Sequence, residues 1–150
     1  VRADPEDQNK GGGAAAAAQK ALGTYGGELG WAFQLIDDVL DYGGASGVFG
    51  KNTGDDLREG KMTLPVILSL ESANQAERQT IVAALGNPDA DDKAVAEVME
   101  VMERYGALTA TLAEALHHAE KAKKALEAVP ESSMRTILAD TADFCVSRAY

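Results

Sequence analysis

The chain has one cysteine, Cys145, in 150 residues, so it can form no internal disulfide and no thiolate metal cage. Cys145 lies in an apolar helical stretch and reads as a small buried filler. Basic residues are also scarce, with 14 Lys and Arg against 24 Asp and Glu, a net charge of −10. Binding a nucleic-acid backbone takes clustered positive charge, so that partner is disfavoured, and an anionic ligand would need a bridging cation. No run approaches the roughly 18 apolar residues of a membrane span, and the start lacks the charged-then-apolar layout of a signal peptide. A cytoplasmic body is the expectation. Bulky side chains are few as well: 27 Ala face only 31 Leu, Ile, Val and Phe together, which implies a helical protein with thin side chains. The length corresponds to one domain.

Residues 1–20 differ from the rest. Asp4-Pro5-Glu6-Asp7-Gln8-Asn9-Lys10 is polar and turn-rich, and Gly11 to Gly13 followed by Ala14 to Ala18 is low-complexity, so a loop leading into a helix is expected. A chain that opens this way without an initiator Met reads as a piece of something longer. Residues 21–150 should form one helical body. The first helix is predicted over residues 19–42, ended by Gly43-Gly44. A glycine-rich connector comes next, with Gly47, Gly50 and Gly54 too closely spaced for a regular element. A second helix should start near Thr63, with Pro65 in its first turn, and run through Leu70. Its Val66-Ile67-Leu68 could form a short strand, but nothing nearby supplies a pairing strand. Further helices are predicted at about 75–85, 92–105, 107–128 and 132–149. The class is all-α, and the short connections favour an antiparallel helical bundle.

On a helical wheel, Leu29, Phe33, Ile36 and Leu40 form one stripe of the first helix, with Ala32, Leu35 and Val39 beside it. Gln34, Asp37, Asp38 and Asp41 fall on a separate strip at i, i+3, i+4 and i+7, flanked by Trp31 and Tyr42. An otherwise apolar helix belongs in a core, where a carboxylate costs several kcal/mol unless it is paired or holds a metal. These aspartates also lie near the negative end of the helix dipole, which disfavours each by about 0.3–1 kcal/mol. Something positive should therefore sit among them. Gly26, Gly27 and Gly30 leave the wall beside them bare of side chains.

Carboxylates clustered without His or Cys select a hard cation. Mg²⁺ suits them best, because it takes one or two carboxylates, keeps several waters and fills its other positions with phosphate oxygens. The connector adds movable positive charge at Lys51 and Lys61, each suited to a phosphate oxygen. Together these groups describe a diphosphate site.

The segment Phe33-Gln34-Leu35-Ile36-Asp37-Asp38-Val39-Leu40-Asp41-Tyr42 resembles the second aspartate-rich motif, DDxxD, of the trans-polyprenyl diphosphate synthases. The stretch Gly50-Lys51-Asn52-Thr53-Gly54-Asp55-Asp56-Leu57-Arg58-Glu59-Gly60-Lys61-Met62-Thr63-Leu64-Pro65 resembles the segment next to that motif in the long-chain members, of the octaprenyl or decaprenyl type. The likeness runs from Tyr25 to the C-terminus and implies the C-terminal half of an isoprenoid synthase bundle. It implies that Asp37, Asp38 and Asp41 hold Mg²⁺ directly or through water, with Gln34 assisting on the same face. It further implies that Lys51 and Lys61 clamp diphosphate oxygens and that Asp56, with Asp55 beside it, orders the metal's water shell. The family's reaction ionises an allylic diphosphate, which isopentenyl diphosphate then attacks to lengthen a chain such as a quinone side chain; its members are homodimers by default. The family's first aspartate-rich motif has no counterpart here, nor do its Gly-Lys-Arg segment and a central Lys-Thr pair. The chain alone is therefore expected to turn over poorly.

The remaining polar features read as structural. Asp91-Asp92 should cap a helix. His117 and His118 point about 100° apart and should be surface or interface residues. Lys121, Lys123 and Lys124 with Glu114 and Glu120 should form a solvated face. Met99 and Met102 with Val95 and Val98, and Phe144-Cys145-Val146, should be buried. Two other functions stay open at this point: a non-catalytic helical subunit of a two-component synthase, and an interaction module whose acidic strip meets a basic partner.

Overall fold

The computed structural model describes residues 5–44, 48–50 and 52–150, with side chains from residue 12 onward among them. Its helices are α1 (Pro5–Leu40), α2 (Asp55–Arg58), α3 (Leu64–Ser72), α4 (Gln75–Ala84), α5 (Asp92–Arg104), α6 (Ala107–Ala125) and α7 (Ser133–Ser147), with a 3-10 turn at Leu126–Ala128. No strand occurs among the described residues, and Val66-Ile67-Leu68 is helical. The result is an all-α helical bundle, as expected from the sequence. Among the described residues no helix is long and apolar enough to cross a membrane.

The lead-in departs from expectation. Helix α1 begins at Pro5, so the loop predicted over residues 1–20 is helical from that point. Proline suits a first helical turn, and the five consecutive alanines after the three glycines have the highest intrinsic helix propensity and continue directly into the packed part of the helix. Residues 12–20 of α1 are largely exposed; packing begins at Ala21 and Tyr25, whose hydroxyl donates to the Leu138 carbonyl at 2.7 Å.

The other helix limits follow local chemistry. Asn74 and Glu77 form a reciprocal capping box on α4, Asp91 caps α5 by accepting from Ala94 N–H, and Ser132 caps α7. Gly54, at φ +80, precedes α2 so closely packed that an added Cβ would lie 2.4 Å from Val95 Cγ1. Both the left-handed backbone and the lack of a side chain are required there.

Three apolar clusters hold the bundle together. The first joins Tyr42 and Leu57 to Val66 of α3, Ile81 of α4, and Val95, Val98 and Met102 of α5. In the second, Ala32, Leu35 and Ile36 of α1 meet Ala115 and Ala119 of α6 and Cys145 and Val146 of α7. Alanines on α6 allow close approach, so most of the packing on α1 comes from that helix. The third gathers Tyr25, Ala122, Leu126 and Ala142. Each fully buried Ile, Leu or Val here is worth about 1.5–3 kcal/mol.

Helix α1 is not enclosed all round. Ala32, Leu35, Ile36 and Val39 are buried as expected, but Phe33 and Leu40 of the neighbouring stripe are exposed, and so is Trp31. Helices α6 and α7 approach from the Ala32–Ile36 side and leave the opposite face open. Phe144, expected inside, is also exposed, while Cys145 and Val146 beside it are buried.

Candidate functional site

The end of α1, the turn at α2 and the start of α3 meet around the acidic strip. Gly54 N–H donates to the Asp41 carbonyl at 3.0 Å, which folds the connector back onto the helix end. Arg58 then pins the turn: its Nε donates to the Ala90 carbonyl at 2.8 Å, its Nη1 to the Thr53 carbonyl at 3.0 Å, and its guanidinium pairs with Asp55 and Asp92. Asp55 is thereby committed to structure.

Asp37 and Asp38 of α1 and Asp41 just past its end receive three different partners. Asp37 is partly exposed and accepts from Arg148 Nη2 at 3.2 Å; the same guanidinium lies over the Phe33 ring, 4.6 Å from its centroid. Asp38 is buried and accepts from Gln34 Nε2 at 2.9 Å. Burial pushes its carboxyl up, the Gln34 amide partly offsets this, and the charges of Asp56 and Asp37 push it further. Asp41 accepts two long bonds, 3.3 and 3.4 Å, from the Asp56 backbone N–H. Burial foremost, then the nearby Asp56 charge, raises its carboxyl to about 6.

The positive charge expected among the carboxylates is only partly present. Lys61 Nζ lies 2.9 Å from Asp56 Oδ1 and 2.9 Å from Glu59 Oε2, and these two hydrogen bonds hold its amine above the usual lysine range. Arg148 attends Asp37. Asp38 and Asp41 have no ion pair among the described residues. Lys51, the other predicted phosphate ligand, lies outside the described residues. No group of three acidic, histidine or cysteine side chains converges as a preformed metal cage among the described residues. The donors are nonetheless all oxygen, and an ion that completes its shell with water and phosphate needs only one or two of them.

Gly26, Gly27 and Gly30 border the strip, and an added Cβ at any of them would meet nothing within 4 Å. The bare wall inferred from the sequence is open space. Tyr42, expected to flank the strip, lies close enough to feel the charges of Asp41, Asp56 and Asp38 and is fully buried in the first cluster, where desolvation foremost raises its phenol well above the usual range. Sequence reasoning missed Arg148, which lies 111 residues from Asp37 and carries no local signal. It also missed the tie made by Arg58, which the opposite charge three residues earlier at Asp55 partly foreshadows. His118, expected at the surface or an interface, is largely enclosed within the molecule, against Glu28, Trp31 and Glu114. His117 is exposed and Asp91 caps α5, as expected.

Comparison with known proteins fits this geometry. A polyprenyl synthetase family profile matches residues 10–102. A short chain isoprenyl diphosphate synthase of Methanothermobacter thermautotrophicus is 44% identical over 130 residues, 87% of this chain and 39% of the relative. An octaprenyl diphosphate synthase of Haemophilus influenzae is 38% identical over 138 residues, 92% of this chain and 42% of the relative. Among solved structures, a decaprenyl diphosphate synthase from Rhodobacter capsulatus superposes with a TM-score of 0.84 at 41% identity, over 90% of this chain and 42% of its own. A polyprenyl synthase from Caulobacter crescentus, complexed with calcium and isoprenyl diphosphate, gives 0.77 at 44% identity, over 90% of this chain and 41% of its own. The chain thus spans about two-fifths of the length of these relatives.

Proposed function

Because the chain belongs to the polyprenyl synthetase family, we propose that the corner formed by α1, α2 and α3 is half of a magnesium–diphosphate site in a prenyltransferase that joins isopentenyl diphosphate to an allylic diphosphate. One observation carries this reading: Asp38, buried, and Asp41, partly buried, are neighbouring carboxylates with raised pKa and no ion-pair partner among the described residues. Structural stability alone gives no reason to keep two such groups side by side. The relatives' names and the calcium and isoprenyl diphosphate of the Caulobacter complex support the same assignment.

Mg²⁺ fits the donor set, with Asp41 and Asp38 as the groups that gain most from it and Asp37 and Asp56 within the same corner. When bound, it supplies Lewis-acid stabilisation to a departing diphosphate. The chain's own residues do the rest. Lys61, anchored by Asp56 and Glu59, presents a fixed positive charge to a phosphate oxygen, and Lys51 is assigned the same part. Gln34 holds Asp38 in place by its amide. Arg148 neutralises Asp37 and keeps its carboxylate on the outer side of the strip. The bare glycine wall admits a substrate close to the helix backbone.

The products named for the relatives range from short chain to decaprenyl, so the long-chain assignment rests on the connector motif around Gly50-Lys51 and Gly60-Lys61. A parent homodimer is part of the proposal, tested by sedimentation. The chain alone should show little sustained turnover, since it carries one aspartate-rich motif. The deciding experiment is calorimetric titration of inorganic diphosphate with and without Mg²⁺, on the chain and on Asp37→Ala, Asp38→Ala. Binding that requires Mg²⁺ and vanishes in the variant is expected. Metal-independent binding, or binding indifferent to the substitutions, would overturn the reading in favour of an acidic strip for a basic protein partner.

A further inference from the structure

Among the described residues, two side-chain oxygens are buried with no hydrogen bond: the Tyr42 hydroxyl and Thr63 Oγ1. Other enclosed hydroxyls are treated differently. Tyr25 donates to the Leu138 carbonyl and Tyr105 to Glu77, each at 2.7 Å. The buried hydroxyls of Ser69 and Thr111 return to carbonyls one turn back in their own helices, at 2.7 and 2.8 Å. Thr63 even stands at the N-cap of α3, where a threonine ordinarily accepts from a backbone N–H, yet its side chain makes no such bond. An unbonded buried hydroxyl has lost its water and gained no partner, so this pair works against the stability of the fold.

Both oxygens belong to the acidic corner. Tyr42 follows Asp41 directly and packs with Leu57 of α2 and Val66 of α3. After burial, the charge of Asp41 does most to raise its phenol, with Asp56 and Asp38 adding to it; the Thr63 hydroxyl close by eases that rise without reaching hydrogen-bond geometry. Thr63 in turn lines one cleft with Gln34 and Asp38, two residues beyond Lys61. Each hydroxyl is neutral and can donate one hydrogen bond while accepting others. A neutral pair suits this place. Another carboxylate would add to the repulsion Asp41 already feels from Asp56, and another ammonium would compete with an incoming cation.

Resting on the diphosphate reading above, we propose that Tyr42 and Thr63 are a pair of positioning residues for the magnesium–diphosphate corner, whose hydrogen bonds are completed only when that corner is loaded. Their bonds go to the ordered water of the ion's shell, and through it they fix Asp41 against the start of α3. Outer partners of this kind orient the groups that touch a metal without touching it themselves. The fold keeps two unbonded hydroxyls in the metal-free chain because the loaded site uses them.

The test sets stability against binding. Tyr42→Phe and Thr63→Val delete the oxygens and keep the shapes, whereas Thr63→Ser keeps the oxygen. In thermal melts without metal, each deletion should raise the Tm by about 3 °C, because an unbonded buried group is removed. In calorimetric titrations of inorganic diphosphate with Mg²⁺, each deletion should weaken binding about tenfold. The double variant should bind little worse than either deletion, since the two act as one unit. Thr63→Ser should bind as the parent does. Tyr25→Phe, which loses a bond that is made, should show the reverse pattern: a lower Tm and unchanged diphosphate binding. Parent-like binding in both deletions, a Tm that falls in both, or equal losses in Thr63→Ser and Thr63→Val would each overturn the assignment and leave the site reading standing. Failure of the folded parent to bind inorganic diphosphate with Mg²⁺ would overturn the site reading and the positioning pair with it.

Discussion

Glu77 and Asp41 are both carboxylates set into the body of the molecule, and their surroundings treat them in opposite ways. Glu77 accepts from Asn74 N–H at 2.9 Å and from the Tyr105 hydroxyl at 2.7 Å, and it pairs with Arg104. Those donors, the backbone N–H first, hold its carboxyl below the usual range. Asp41 has two long bonds from one backbone N–H, a like charge nearby at Asp56, and a carboxyl raised to about 6. The corner of α4 and α5 satisfies its own acid, whereas Asp41, at the corner of α1 and α2, has no ion-pair partner among the described residues and feels Lys61 only at a distance. A fold that supplies three partners to one carboxylate and no ion-pair partner, among the described residues, to the other gives the second the surroundings that the proposed ligand site requires.

The comparison breaks most visibly through the ligand. Asp38→Asn combined with Asp41→Asn should weaken Mg²⁺-dependent diphosphate binding by at least about a hundredfold, while Glu77→Gln should leave it unchanged, both read by calorimetry. Equal losses in the two variants would remove the distinction between the corners.

Gly54 joins them, donating to Asp41 while packed against Val95 of α5. Gly54→Ala should cost about 3 kcal/mol in urea unfolding, combining a left-handed backbone penalty with overpacking. It should also weaken diphosphate binding, because the α2 turn would shift away from Asp41.

Next in size is the pH response of the metal-free chain. A carboxyl whose pKa is raised in the folded state binds more protons there than in the unfolded chain, so its ionisation destabilises the fold as pH rises toward and through about 6. Lowering the pH from 7 to 5 should therefore stabilise the metal-free chain by about 1–2 kcal/mol, allowing for the partial exposure of Asp41. Asp41→Asn should be as stable at pH 7 as the parent is at pH 5, checked by urea melts at both values. Mg²⁺ affinity should fall as pH drops through the same range, because the metal must displace a proton.

The smallest effect sharpens the other side. Glu77→Gln should lower the Tm modestly at neutral pH. Because the Glu77 carboxyl is depressed in the folded state, its stabilisation is present above the ordinary carboxylate range and is lost below it, opposite in sign to Asp41. Thermal melts against pH on both variants would show the two slopes.

Much of the architecture is legible along the chain because helix limits are local events. The capping box at Asn74 and Glu77, the cap at Asp91, Pro65 in the first turn of α3 and the left-handed Gly106 before α6 each act within four residues. The acidic strip is legible for the same reason, since i, i+3, i+4 and i+7 share a helix face. Residues 5–18 mislead, because a turn-rich and low-complexity composition masks the helix propensity of their alanines.

What the sequence determined by itself is therefore the second half of α1, the helices α3 to α7 and the presence of one acidic strip, all products of backbone bonding and 3.6-residue periodicity. Only the tertiary structure decided how charge is shared within that strip. Arg148 reaches Asp37 across 111 residues and His118 reaches Glu28 across 90, while Asp38 and Asp41 are left to an amide and a backbone N–H. Those pairings come from where alanine-lined α6 and then α7 settle on α1, and helix-on-helix packing is a long-range choice that no local pattern encodes.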